Sequence, residues 1–136
     1  MEGSLESIGK AAVAEFVATF TLVSVVAGSL ILNANGQLDL TGVALAHGLV
    51  LAIMISVTAH ISGGLVNPAV AIALWATGRL TTFRAGILIV AELAGAVTGA
   101  YLLRFLLPPE LFDAGGGGIT ALGDGITVGK GILIEA

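Results

Sequence analysis

The segment Ser62-Gly63-Gly64-Leu65-Val66-Asn67-Pro68-Ala69-Val70 interrupts a stretch, residues 40–76, that is otherwise almost continuously apolar. That stretch is too long for one membrane crossing and too short for two, because a spanning helix needs about 20 apolar residues. The interruption divides it into a full-length segment and a half-length one. Backbone polar groups cannot stay bare in hydrocarbon, so irregular chain at membrane depth must be buried in protein or line a watery cavity. A short helix that starts near the bilayer midplane is how channels and transporters bind or repel what passes. The break therefore points to a pore.

Composition agrees that lipid is the solvent. The chain is 57% hydrophobic and 10% charged, with a mean hydropathy of +1.07, and so lacks the charged surface of a soluble domain. Its 20 glycines suit membrane helices, where small residues allow close approach. The absence of cysteine excludes disulfides, thiol catalysis and zinc–thiolate sites. Five scattered Lys and Arg residues argue against nucleic acid as a partner, and the thin net charge of −4 implies none. The first apolar run, residues 11–32, follows a leader with Glu2 and Glu6 and no basic residue before Lys10. At about 22 residues it exceeds the roughly 7–15 of a signal-peptide core, and it reads as a retained transmembrane helix.

The expected order is therefore a span over 11–32, a polar turn over 33–39, a span over 40–59, a half-helix over 68–77 and a span over 85–107. The half-helix would cover roughly 15 Å, half the hydrocarbon thickness. Gly78 suits its C-terminal cap, and Arg79 suits the negative end of its dipole. Residues 110–125, with Gly115 to Gly118, read as a flexible, exposed loop, and a further apolar segment starts at Ile126. Small residues recur at helical contact spacing in Ala14/Ala18, Ala44/Gly48 and Ala91/Gly95/Gly99, marking faces for close helix packing. With Met1 in the cytoplasm, Lys10, Arg79 and Arg84 would be cytoplasmic and Arg104 and Lys130 opposite, a slight positive-inside bias.

Few residues could carry chemistry. Asn is a strong N-cap, and Pro loses nothing in a first helical turn. Alone the pair would mark only a well-capped helix. Inside a bilayer, the same helix start turns its unpaired N–H groups and positive dipole end toward the pathway, where Asn67 can donate to a passing oxygen. Glu15 lies within the first span, and an intramembrane carboxylate is costly. A proton relay is one reading; the favoured one is an acceptor for N–H groups of the irregular segment 62–66. His47 is either a buried histidine bonded to a neighbouring helix or a pore-lining donor. His60, directly before the break, reads as its anchor. Glu92 within the third span either takes part in an interhelical hydrogen bond or stays protonated, and Arg104 near its end can snorkel to the interface. Two isolated histidines without a converging acidic pair make a poor metal site. Gly125-Ile126-Thr127-Val128-Gly129-Lys130-Gly131 falls one residue short of a phosphate-binding loop and lacks its Ser or Thr after the lysine. No cofactor or enzymatic chemistry is indicated.

The motifs resemble the first half of an aquaporin, of the major intrinsic protein family. Ala14-Glu15-Phe16 with Thr19-Phe20 resembles the opening signature of the family's first helix. His60-Ile61-Ser62-Gly63-Gly64-Leu65-Val66-Asn67-Pro68-Ala69-Val70 resembles its first Asn-Pro-Ala loop almost residue for residue. Ala91-Glu92-Leu93-Ala94-Gly95-Ala96 is similar to the third-helix pattern, where the family more often has Gln than Glu. The resemblance implies six helices in two inverted repeats, each giving a half-helix, with both Asn-Pro-Ala motifs meeting at the pore centre. It further implies that Asn67, Pro68 and Ala69 meet permeating water or small neutral solutes. Carbonyls of Gly63, Gly64 and Leu65 would line the cytoplasmic half of the path, and Glu15 would brace the loop. His47 would fall on the second-helix position of the outer selectivity filter. A histidine there is similar to plant tonoplast members, and the absence of the bulky Trp of glycerol facilitators leans toward water, with ammonia or urea as further candidates. Leu65 stands where the family often has His, and Ile134-Glu135-Ala136 resembles the opening of a second repeat.

The expectation is thus an all-α membrane protein, an aquaporin-like half of three transmembrane helices, one re-entrant half-helix and the start of a fourth. Residues 1–136 would be the N-terminal repeat of a multi-pass channel in the cell membrane. Its partners would be lipid, water or small neutral solutes and, if complete, further copies of itself, as in the family's tetramers. The alternative is a non-conducting truncated membrane protein with a structural or interaction role. A pairing of two such halves in opposite insertions is also open.

Overall fold

The computed structural model describes residues 5–135; Met1, Glu2 and Ala136 of the readings above lie outside them. Six α-helices follow in order: α1 Leu5–Ala34, α2 Leu40–Thr58, α3 Pro68–Ala76, α4 Thr82–Leu106, α5 Pro109–Ala114 and α6 Val128–Glu135. Three of them, α1, α2 and α4, are long and apolar enough to cross a membrane. The chain is an all-α membrane protein. At nine residues, α3 spans about 14 Å and cannot cross alone.

Local chemistry sets the helix ends. Asp39 accepts from the Gly42 N–H at 2.7 Å and starts α2. The Thr81 hydroxyl accepts from the Arg84 N–H at 3.3 Å, which starts α4 three residues before its apolar run. Likewise α1 begins at Leu5 rather than Ala11, its first turns carrying the exposed Lys10–Glu6 pair at 2.7 Å. Gly78 ends α3 as expected. At φ 72° it lets its own N–H reach the Trp75 carbonyl and the Arg79 N–H reach the Leu74 carbonyl, the two bonds of a Schellman closure.

Helix α1 is the spine, packing against both α2 and α4. A Cβ built on Gly95 would lie 2.4 Å from the Phe16 carbonyl oxygen, and one on Gly99 would lie 2.7 Å from that of Phe20. Contacts advance together along both helices, so α1 and α4 run parallel with their backbones touching. Ala14 and Ala18 are buried as well. The Ala44/Gly48 expectation fails, since both are exposed and nothing lies within 4 Å of a Cβ on Gly48. A core of Ala11, Leu65, Ala71 and Leu88 joins α1, the broken segment, α3 and α4.

The segment after α4 is not the loose loop expected from its glycines. Pro109 opens α5, and residues 116–118 form a 3₁₀ turn laid on α1. Gly115 sits against Ile31 and Gly118 against Ala27, too close for any side chain. The Asn35 amide donates to the Leu111 carbonyl at 3.1 Å, while Arg104 lies over the Phe112 ring and 3.6 Å from Asp113. At Gly115 and Gly118 the missing side chain permits close contact with α1.

Gly95→Val should lower the melting temperature in detergent, because overpacking typically costs about 1–3 kcal/mol. Gly86→Ala, on an exposed face of the same helix with open space around it, should leave it unchanged or slightly raised. Equal melting of wild type and Gly95→Val would overturn the close α1–α4 packing.

Candidate functional site: the broken segment between α2 and α3

Between Thr58 and Pro68 the chain leaves helical geometry, and its donors must find partners elsewhere. The Ile61 and Ser62 N–H groups donate to the Thr58 carbonyl, and the Gly63 N–H to that of Ala59. The Gly64 N–H donates to the Ser62 hydroxyl at 3.2 Å. A side chain on Gly64 would meet the backbone of Ile55 and Ala59, and its φ of 63° suits glycine alone. The Leu65 N–H donates to Glu15 Oε1 at 2.9 Å and the Val66 N–H to Glu15 Oε2 at 2.6 Å. One carboxylate on α1 thus holds two successive amides that lie some 50 residues further along the chain. Both oxygens belong to a fully buried side chain. Val66 has φ 55°, a left-handed conformation that costs a β-branched residue on the order of 1–3 kcal/mol. The clamp holds it there, since charge-assisted hydrogen bonds contribute about 1.5–3 kcal/mol each.

Asn67 then starts α3. Its Oδ1 accepts from the Ala69 N–H at 2.9 Å, and Pro68 occupies the first turn without sacrificing a donor. With its oxygen committed, the exposed Asn67 side chain presents N–H groups outward. Ala69 is also exposed. The result is a surface at the positive end of a short helix on which the Asn67 N–H groups are available as donors. On its buried side, Glu92 from α4 lies beside the Glu15 carboxylate and the Asn67 backbone N–H.

Around this centre, Ser62, Gly63, Leu65, Arg79 and Arg84 help to line a cavity of about 480 Å³. Arg84 Nη2 donates to the Ser62 carbonyl at 3.4 Å, tying α4 to the broken segment. Leu65 is buried, with its side chain in the core. Sequence reasoning used Arg84 only for orientation; nothing local marks an arginine that reaches a carbonyl 22 residues away.

The other two candidates stand apart. Half-buried His47 places Nδ1 2.9 Å from the Val43 carbonyl, which that nitrogen reaches as a donor. With Gly118 to Thr120 and residues of α1, His47 lines a separate groove of about 670 Å³. His60 is exposed, and its side chain makes no hydrogen bond among the described residues, so the anchoring expected of it is absent. Arg84 and Glu15 hold the segment instead. Among the described residues no group of three His, Asp or Glu side chains could hold a metal ion.

Replacing Glu15 with Ala should orphan two buried donors at about 1–3 kcal/mol each. Amide exchange at Leu65 and Val66, followed by NMR in micelles, should accelerate strongly, while Ala18 in α1 stays protected. Unchanged exchange at both positions would overturn the clamp.

Comparison with known proteins gives the same picture. The sequence model of the family described as Major intrinsic protein matches residues 3–136. Aquaporin TIP4-4 of Zea mays is 40% identical over 136 aligned residues, covering 93% of this chain and 52% of that protein. Aquaporin-4 of Mus musculus is 36% identical, covering 96% and 41%. The lens fiber major intrinsic protein of Ovis aries is 38% identical, covering 95% and 48%. The chain thus spans about half the length of the curated relatives it matches. An all-helical membrane architecture, the capped half-helix behind a buried carboxylate, and these matches agree: the chain is an integral membrane protein and belongs to the major intrinsic protein family.

Proposed function

We propose that this chain forms the N-terminal repeat of a passive transmembrane channel for water and small neutral solutes. The observation that carries the reading is the Asn67 oxygen held on the Ala69 N–H, which turns the amide N–H groups outward as donors at the start of α3. Donors so placed bind the oxygen of water and hold its hydrogens away, and the positive helix end repels cations and protons. The relatives' names, aquaporin among them, support the same solute class.

In this reading Asn67, Pro68 and Ala69 form the midplane contact, and Gly63, Gly64 and Leu65 contribute the path toward the end that carries Arg79 and Arg84. His47 lines the path further along, in the half of the protein opposite that end. Glu15 supports the loop. No bond of the solute is made or broken, so the protein is a conduit and not an enzyme. The apolar outer face of α2, with Leu45, Leu49, Ile53 and Val57 exposed, meets lipid or further copies of the channel.

Stopped-flow shrinkage of proteoliposomes tests the proposal. The chain, alone or with a second-repeat polypeptide supplied in trans, should raise water flux above that of empty liposomes. Asn67→Asp, which replaces the outward donor with an acceptor, and Pro68→Leu should each abolish the increment. Flux no greater than that of empty liposomes in both settings, from correctly inserted protein, would refute it.

A further inference from the structure

Among the described residues, Glu92 is a buried carboxyl group whose oxygens the fold leaves without a hydrogen-bond partner. Its side chain is fully buried within α4, and neither oxygen reaches hydrogen-bond geometry with a described donor. Two groups sit beside it, the Glu15 carboxylate and the Asn67 backbone N–H. Among the described residues no cation forms an ion pair with it. From α1 the facing titratable group is Glu15, whose oxygens already accept from Leu65 and Val66. The segment 61–67 and α3 carry no titratable side chain. On α4 itself, Arg84 reaches the Ser62 carbonyl and Arg104 lies beside Asp113. On α1, Lys10 is exposed and paired with Glu6. On α2, His47 bonds the Val43 carbonyl, and His60 in the turn beyond it is exposed.

Two ionised carboxylates side by side, buried and without a counter-ion, would repel each other where nothing screens them. A carboxylic acid beside a carboxylate has the opposite character. The acid has one O–H to donate and a carbonyl oxygen to accept, while an ionised carboxylate offers about four acceptor sites. Glu15 uses one site on each oxygen for the loop and keeps the others. We infer that Glu15 and Glu92 form a proton-binding site, in which one proton is shared so that Glu92 donates an O–H to Glu15 and accepts from the Asn67 N–H. Three successive loop amides, of residues 65, 66 and 67, are then met by a pair of side chains with a single negative charge. A glutamine at position 92 has the same donor and acceptor, so the proton lets a glutamate do the work of an amide. The site concerns the support of the broken segment and does not depend on conduction.

Infrared spectroscopy of the full chain in detergent at neutral pH reads the proton directly. A carboxyl group in water is ordinarily ionised at that pH, so a protonated carboxyl C=O band, shifted on transfer to D₂O, reports a buried acid. The band should be present in wild type and lost in Glu92→Gln, which should fold with an unchanged or higher melting temperature. Glu92→Leu, of similar bulk but without a donor, should melt lower than Glu92→Gln. Folded wild type without the band overturns the inference, and that arm needs no variant. A band that survives in Glu92→Gln overturns it as well, because the proton would then reside elsewhere. Because none of these readouts measures flux, a chain that fails to conduct but shows the band loses the channel proposal and keeps this one.

Discussion

The carboxylate of Glu15 makes the rest of the architecture possible. An unsatisfied N–H in hydrocarbon costs several kcal/mol, so a chain that stops being helical inside a membrane needs an internal acceptor. Glu15 supplies two, aimed at successive amides. Its own burial would be prohibitive in isolation. The same loop that needs the acceptor also supplies the compensation, through two charge-assisted bonds and the positive end of α3 just beyond them. Neither the buried charge nor the broken backbone is tenable alone; together each removes the cost of the other. Left-handed Val66 is the strain that remains, tolerated because its N–H is gripped from the opposite side.

Close packing brings the second carboxyl group into the same place. Gly95 and Gly99 allow α4 to press its backbone against α1 at the level of Phe16 and Phe20. One turn earlier on α4, the helices are still close enough for Glu92 to lie beside Glu15. Larger residues at the two glycines would hold α4 away, so the small-residue stripe determines the electrostatics of the site as well as helix association. Arg84 completes the frame from the same helix, with its guanidinium on the Ser62 carbonyl. Thus α1 and α4 grip the segment at both of its ends, and α3 is free to be short.

What the sequence made legible were features whose physics is local or obligatory. Asn67 as N-cap, Pro68 in the first turn and Gly78 as the closing residue follow from backbone preferences that hold in any context. An acceptor role for Glu15 followed from need: donors in 62–66 had to go somewhere, and few buried acceptors were on offer. Contacts of α4 through Gly95 and Gly99 were legible because three small residues in register are hard to produce by chance. Ala44 and Gly48 show the limit, as a pair of small residues says nothing about which face finds a neighbour. His60 looked like an anchor by adjacency alone, yet its side chain points to the exterior. Within the loop read over 110–125, Gly115 and Gly118 were misread because glycine signals flexibility and close approach equally, and only the presence of Ile31 and Ala27 opposite them decides. Val66 carried no signal at all, since its conformation is imposed by a clamp from another helix.

The surface that carries Asn67 brings a further constraint. Neighbouring side chains Val70 and Ile72 are exposed and suit hydrocarbon, whereas an exposed amide and the free end of a helix do not. A side chain whose oxygen caps its own helix cannot turn its N–H groups inward without releasing the Ala69 N–H. The donors therefore stay outward, and acyl chains cannot satisfy them. Only water or further polypeptide can cover that part of the face. In the channel proposed above, either one requires the apolar surface around α3 to be continued by something that excludes lipid, and a second repeat packed against the capped asparagine would supply it.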